Sequence, residues 1–543
     1  MAEDAEVACA GYSATLGDFS RIESMAENPS DPAALYDALV KVELAGKSGD
    51  EALEILAQLV DLSDDLGKPD GARRALELAD QLESMKLKES DAALLEYFRA
   101  NTWAALHRHE TVNPWAWEHP ALGTQIIHLR KCVSHPGFAK MGKLRRCQVF
   151  TNLGNCMDTV GRFVEALEYW EQALALQPKF GMAVGNRGCG LETYAQALYD
   201  PGHRLLFAKF AHTGVTSVLG KDVLFDGIYP QALAHFESVK NRIESVAPNL
   251  SEIDLHDHPM GDTEDEQNYR AWCLQNRLFL NPLNDLGPHS IANRDVLMLP
   301  TFTTKVKEPP TLVGFFNQLK QEYASARWLL YEGIQTDKVH FSDREVLLYN
   351  TLDYSCHGLA VEKTKIAFRM AYSLFDKLAF FLNEYLQLGI KDRDVYFKTL
   401  WYQHRSSKPF PLRAQFANLD NLPFRGLFWL AKDLFDEQYG DVIEPEARDY
   451  YVIRNRLEHS CLRVHEDFAA TTPPELEIFS NRLAYSITRG DLNAKTLRLF
   501  KLVRAAMIYV LLGMHREEAR RVHDEQKPAF PMHIALWDDD WKR

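Results

Sequence analysis

The stretch CQVFTNLGNCMDTVGRFVEALEYWEQALALQPKF, residues 147–180, decides how the front of this chain folds. It reads as two amphipathic helices in tandem. Phe150, Leu153, Gly154 and Met157 recur three and four apart on the first, and Ala166, Trp170 and Ala173 do so on the second. Gly154 and Ala166 are small, which suits two helices that cross closely, while Leu153 and Trp170 fill the seam between them. Pro178 ends the second helix and sets the turn to whatever follows. A single pair of this kind cannot bury its own apolar face, so degenerate neighbours are expected beside it.

The unit is 34 residues long and resembles the tetratricopeptide repeat (TPR). Downstream, Ala183, Gly188 and Leu191 open a second unit, which departs from the pattern at Asp200-Pro201-Gly202-His203. Upstream, helices are expected over Ala33–Leu44, Asp50–Leu62, Gly71–Leu87 and Ser90–His109. Glycine-rich breakers at 46–50 and 67–71 separate the first three. Residues 1–30 have weak periodicity and read as a short helix or loose arm. The expectation for 1–244 is a TPR-like helical solenoid, whose concave groove suits a peptide or protein trigger.

Residues 245–311 are polar and rich in Pro, Asn and Asp, but too apolar for a free linker, and read as an ordered connector. From 312 to 525 long helices return. Helices near 312–334, 358–388, 444–466 and 491–521 suit an up-down bundle. Shorter ones are expected over Ser342–Tyr354, Arg425–Phe435 and Glu475–Ile487, and 389–442, with Lys408-Pro409-Phe410-Pro411, reads as an insertion. Residues 526–543 form a tail. The fold class is all-α.

The chain of 543 residues carries a net charge of −15, which argues against generic coating of nucleic acid. The first hundred residues hold 22 acidic against nine basic side chains, so most of the imbalance lies there. A local RNA site in the C-terminal half is compatible with that distribution. The eight cysteines are scattered without a C-x-x-C pair, as expected of reduced thiols in a cytoplasm. Met1–Ala10 holds three acids and no base, unlike a signal or transit peptide. The longest apolar runs, Leu374–Leu386 and Ala505–Leu512, fall short of the ~20 residues a membrane helix needs and read as buried helices.

The stretch with chemistry in it is Arg454-Asn455-Arg456-Leu457-Glu458-His459. Here the sequence resembles the HEPN superfamily, whose nucleases carry an Arg, a polar residue, three variable residues and a His. Arg454, Asn455 and His459 meet that pattern. The phrases Asn281-Pro282-Leu283-Asn284-Asp285, Tyr372–Lys377 and Arg425–Leu430 resemble a bacterial subfamily in which the domain follows helical repeats. The resemblance implies a homodimer with the two motifs facing across its seam. On an ideal helix Arg454 and His459 stand roughly 140° apart, so one helix does not make a tight pair of them. Arg130 and His135 have the same spacing, but Lys131 stands where the polar residue belongs.

RNA carries its own nucleophile, the 2′-hydroxyl. His459 is the expected acid–base residue, Arg454 the stabiliser of phosphorane charge, and Asn455 the orienting group. Arg456, Arg463 and Lys377 are expected RNA contacts. Neither a cofactor nor a metal is expected. His256-Asp257-His258, near Asp254 and His289, reads as a solvated acidic run sooner than as a metal site. The aromatic set Phe424, Phe428, Trp429 and Phe435 reads as core. The resemblance implies an endoribonuclease of antiviral defence or toxin-like growth arrest, restrained by the solenoid, so that an isolated 310–543 fragment would be more toxic than the chain. The alternative is a non-catalytic scaffold or a nucleotide- or peptide-binding regulator.

Overall fold

Among the described residues the N-terminal half is a run of ten helices: α1 Pro32–Leu39, α2 Gly49–Asp65, α3 Pro69–Glu83, α4 Glu89–Glu110, α5 Pro120–Ser134, α6 Lys143–Thr159, α7 Phe163–Leu176, α8 Gly181–Ala197, α9 Pro201–Val218 and α10 Pro230–Val246. From α1 to α10 each helix packs on the next. Local signals set several starts. Ser48 and Glu51 close a reciprocal capping box on α2. Asp200 accepts the His203 N–H at 2.9 Å ahead of Pro201, so the point where the repeat pattern departs is the capped start of α9. In the α6–α7 pair, a Cβ on Gly154 would lie 2.5 Å from the Trp170 ring nitrogen, which is why that position is glycine. That nitrogen donates to Asn155 Oδ1 at 3.0 Å, and Asn186 on α8 donates to the same oxygen.

The remainder comprises α11 Glu264–Gln275, α12 Thr311–Gln335, α13 Leu359–Tyr385, the single turn α14 Ala414–Ala417, α15 Leu422–Phe435, α16 Ala447–His459, strands β1 Cys461–His465 and β2 Ala484–Thr488, and α17 Arg489–Arg520. The computed structural model describes residues 31–220, 222–225, 227, 229–302, 309–403, 411–435, 447–471, 484–521 and 534–542. The arm at 1–30, Lys408-Pro409-Phe410, the end of the insertion near 442 and most of the helix expected over Glu475–Ile487 lie outside them. Among the described residues the architecture is all-α apart from β1 and β2, which pair in parallel, Cys461 opposite Ala484 through His465 opposite Thr488.

Three expected helices are corrected. The motif helix stops at His459, and 461–465 is a strand whose Leu462 and Val464 point into the core. The described end of Glu475–Ile487 is strand β2. Ser342–Tyr354 holds only one short turn, at Phe341–Asp343. Glu345, Leu352 and Tyr354 there have left-handed backbone, at φ 64°, 60° and 55°, which a helix cannot contain.

One main hydrophobic core runs from Leu35 to Met514, with a small satellite at Ala72, Ala105 and Leu106. The centre of the main core is α17, buried on every side from Leu502 to Met514: bundle helices pack along it, and Phe163, Val164 and Glu165 of α7 meet its Tyr509. The connector pins it. Arg504 donates to Asp285 at 2.6 Å and to the carbonyls of Phe279 and Asn281, and Asp285 also accepts from Tyr194 at 3.0 Å. Across the seam Asp433 on α15 takes both Arg130 and Arg162, so the second Arg–His spacing in the sequence serves structure. Backbones touch there too: a Cβ on Gly426 would lie 2.2 Å from the Gly161 carbonyl oxygen. Phe424, Phe428 and Trp429 are buried in this seam, with Trp429 Nε1 donating to the Trp117 carbonyl at 2.9 Å.

That shared core changes the expectation for a 310–543 fragment. Cutting there strips Asp433 and Arg504 of their buried partners and bares one flank of α17. The charges alone put several kcal/mol, about 3–5 for each broken pair, against its folding. Functional tests therefore belong on the full chain.

Candidate active site

Helix α16 is a short amphipathic helix lying on α13. Tyr450, Ile453 and Leu457, spaced three and four apart, are its buried stripe. Arg454, Asn455 and Arg456 are half-buried along the edges of that stripe, and Glu458 and His459 are exposed. Lys495 of α17 holds the start of the helix through Asp449 at 2.8 Å. Arg369 of α13 holds its end, donating to the Leu457 carbonyl and lying 3.6 Å from the Glu458 carboxylate. A cation at that place satisfies a terminal carbonyl that has no partner within the helix.

Arg454 and Asn455 are brought together: Arg454 Nη1 donates to Asn455 Oδ1 at 3.1 Å. Among the described residues no carboxylate lies within ion-pair distance of Arg454, although its charge acts on Tyr372 and Asp376 of α13. Burial raises the pKa of the Asp376 carboxyl against the opposing Phe397 N–H, 3.0 Å away, and Arg454. Burial also raises the Tyr372 hydroxyl, with Asp376 adding to it and Arg454 opposing. Arg369, Tyr372 and Asp376 are spaced three and four apart and so form one ridge of α13 facing α16. Sequence reading missed Arg369, because only the tertiary fold carries it to the end of the motif helix.

His459 is the last residue of α16 and open to solvent. Arg456 Nη1 donates to Ser460 Oγ at 3.1 Å, keeping it at the same helix end. The other two expected RNA contacts have partners of their own. Lys377 pairs with Glu322 of α12, and Arg463 with Asp353 at 2.6 Å. Burial works to raise the Asp353 carboxyl, but the Thr351 and Ser355 hydroxyls and Arg463 outweigh it and hold it far below the usual range. His465, the last residue of β1, is fully buried, bonded to the Asp353 carbonyl at 2.7 Å and to Ser486 Oγ at 3.1 Å.

Elsewhere, Asp254 pairs with Lys209 at 2.8 Å, Asp257 accepts from Ser290 at 3.0 Å, and the His258 ring meets the Pro259 carbonyl at 3.1 Å. Among the described residues no group of three or more His, Cys, Asp or Glu side chains could hold a metal ion. No helix among them is long and apolar enough to cross a membrane.

The fold and the motif thus define a helical bundle in which Arg454 and Asn455 are bonded to each other and His459 stands at the open end of the same helix, carried on a run of helix pairs. Residues 303–517 match the family model described as LA2681-like HEPN, which supports a HEPN-type domain in that segment. No curated protein and no solved structure matches the chain.

Proposed function

We propose that this chain is an endoribonuclease of HEPN type, acting in antiviral defence or toxin-like growth arrest under control of its TPR-like N-terminal half. The observation that carries the reading is the state of Arg454. Arg463, Lys377 and Arg369 are each spent on a carboxylate, whereas Arg454 meets a neutral amide, within the segment that matches a HEPN family. A half-buried guanidinium with no carboxylate of the described residues within ion-pair distance is suited to a phosphate.

In this mechanism His459 takes the proton of the RNA 2′-hydroxyl or delivers one to the leaving 5′-oxygen. Arg454 stabilises the charge that develops on the phosphorane-like transition state. Asn455, already bonded to Arg454, orients that group or a phosphate oxygen. The RNA supplies the nucleophile, and the products are a 2′,3′-cyclic phosphate and a 5′-hydroxyl. Arg456 is placed for a backbone phosphate, while Arg463 and Lys377 reach RNA only by leaving Asp353 and Glu322. Two copies supply the facing Arg454 and His459 that one helix keeps apart.

The test is purified full-length protein incubated with total RNA, with the cut ends mapped. The expected result is cyclic-phosphate ends, lost in His459→Ala and in Arg454→Ala at unchanged helicity. Undiminished cleavage by His459→Ala refutes the assignment. The non-catalytic alternative predicts RNA left intact by every form of the chain.

A further inference from the structure

Between α12 and α13 the chain leaves the bundle. Phe341, Leu347, Tyr349 and Leu352 are each more than 70% exposed, and Val346 and Leu348 more than half. At those exposures they leave on the order of 800 Å² in water, given ~200 Å² for an aromatic side chain. A typical monomer carries a largest patch of about 300–600 Å², and a standard interface takes about 800 Å² from each partner. Val346-Leu347-Leu348-Tyr349 is an unbroken apolar run without regular secondary structure, and among the described residues no backbone–backbone hydrogen bond involves it. Four consecutive apolar residues, of which Val346 and Tyr349 have high strand propensity, thus present main-chain donors and acceptors to water, the condition of an edge awaiting a partner strand.

The arm is open at its tip but fixed at its root. Cys356 N donates to the Val464 carbonyl at 2.7 Å, Glu466 N to the Tyr354 carbonyl at 3.0 Å, and the Tyr354 and Phe468 rings meet edge-on with centroids 5.0 Å apart. Its anchor is therefore β1, the strand that begins two residues after His459. Three of the five non-glycine residues with left-handed backbone among the described residues, Glu345, Leu352 and Tyr354, bracket the run. Side chains of that size hold such a conformation only where surroundings require it.

We propose that residues 346–349 pair antiparallel with the same residues of a second copy of this chain, forming an intersubunit ribbon that clamps a dimer. Three observations favour a second copy. The exposed area is what one partner of a stable dimer contributes. An identical segment in antiparallel register pairs the donors and acceptors along one edge of its mate, about a two-fold axis. Arg344 and Glu345, both exposed, leave the run's flank neutral, so two arms meet without net repulsion. Because both arms root in β1, the ribbon sets the two motif helices beside one another. It rests on the nuclease reading only for its purpose, the assembly of one site from two motifs.

The experiment is sedimentation of the full-length chain. Wild type is expected to be dimeric at about 50 µM. The double variant Leu347→Asp with Tyr349→Asp is expected to keep its helical circular dichroism, since both side chains are 95% exposed, and to dissociate about 30-fold more readily. Leu347→Asp and Leu347→Lys chains, each weakened alone, are expected to form heterodimers when mixed. A monomeric wild type overturns the proposal, whatever else covers the arm, and so does a double variant that stays dimeric. Dissociation of the arm variant in a chain that leaves RNA intact keeps the ribbon and removes the nuclease. A dimer indifferent to the arm, in a chain whose cleavage needs His459, keeps the nuclease and removes the ribbon.

Discussion

Replacing Asp433 with asparagine removes one negative charge from between two buried guanidinium groups. Asp433 accepts from Arg130 through both oxygens, at 2.6 and 2.9 Å, and from Arg162, with every side chain at most 5% exposed. Burial raises the carboxyl, yet the two arginines overcome it and keep it ionised below the usual range. At an effective dielectric of 20 each such contact is worth about 4 kcal/mol before desolvation. Removing one partner of a buried pair costs about 3–5 kcal/mol, because the other charge stays buried. Arg162 retains Glu165 at 2.8 Å, and an amide oxygen still accepts one bond, so the lower end applies. Asp433→Asn is expected to lower stability by about 3 kcal/mol. The assay is urea unfolding of the full chain followed by circular dichroism and tryptophan fluorescence. With a slope of about 3 kcal/mol/M or more, the midpoint falls by up to about 1 M. Since one core serves both halves, the two probes are expected to move together. A loss below about 1 kcal/mol, or a second transition left in place, refutes the claim that this charge cluster holds the halves as one body.

Gly426→Ala places a methyl 2.2 Å from the Gly161 carbonyl oxygen, where neither backbone can step aside. A cost of about 1–3 kcal/mol and a lower thermal midpoint are expected, and an unchanged midpoint contradicts the close backbone approach at the seam. Acid is expected to loosen the same region. Burial, with His119 and Arg108 adding, lowers His107 to about 4, so the folded chain binds fewer protons than the unfolded chain between that value and 6.5. Stability is full above 6.5 and falls as pH drops toward 4, this one residue accounting for about 2 kcal/mol between pH 7 and pH 5. His107→Gln should narrow the difference between urea midpoints at those two pH values. A difference as large as in wild type removes His107 as the cause.

The helices were legible because their signals are local. Apolar spacing set α2 to α4 and the α6–α7 pair, and Asp200 and Pro201 mark the start of α9 within four residues of chain. The motif residues were legible by type and spacing. What failed needed distant partners. Cys461–His465 reads as a continued helix until its parallel mate at 484–488 and the edge at Cys356 are in place. Ser342–Tyr354 has the apolar content of a helix, but Val346 to Tyr349 is an unspaced run that gives no buried stripe, and no core surface remains for it. Arg369 carries no motif signature and gains its meaning only by reaching the Leu457 carbonyl.

The sequence by itself determined the helical class and the paired helices of the front half, and it singled out Arg454, Asn455 and His459 as candidates by residue type and spacing. Those properties rest on periodicity and side-chain chemistry, which a stretch of a few turns contains in full. Only the tertiary structure decided that the two halves are one core, since the charges that join them, Arg130 to Asp433 and Asp285 to Arg504, stand hundreds of residues apart. It also decided that Arg369, Lys377 and Arg463 meet carboxylates while Arg454 meets the Asn455 amide. Ion pairing between distant segments is set by where the packed backbone brings them, and no local pattern records it.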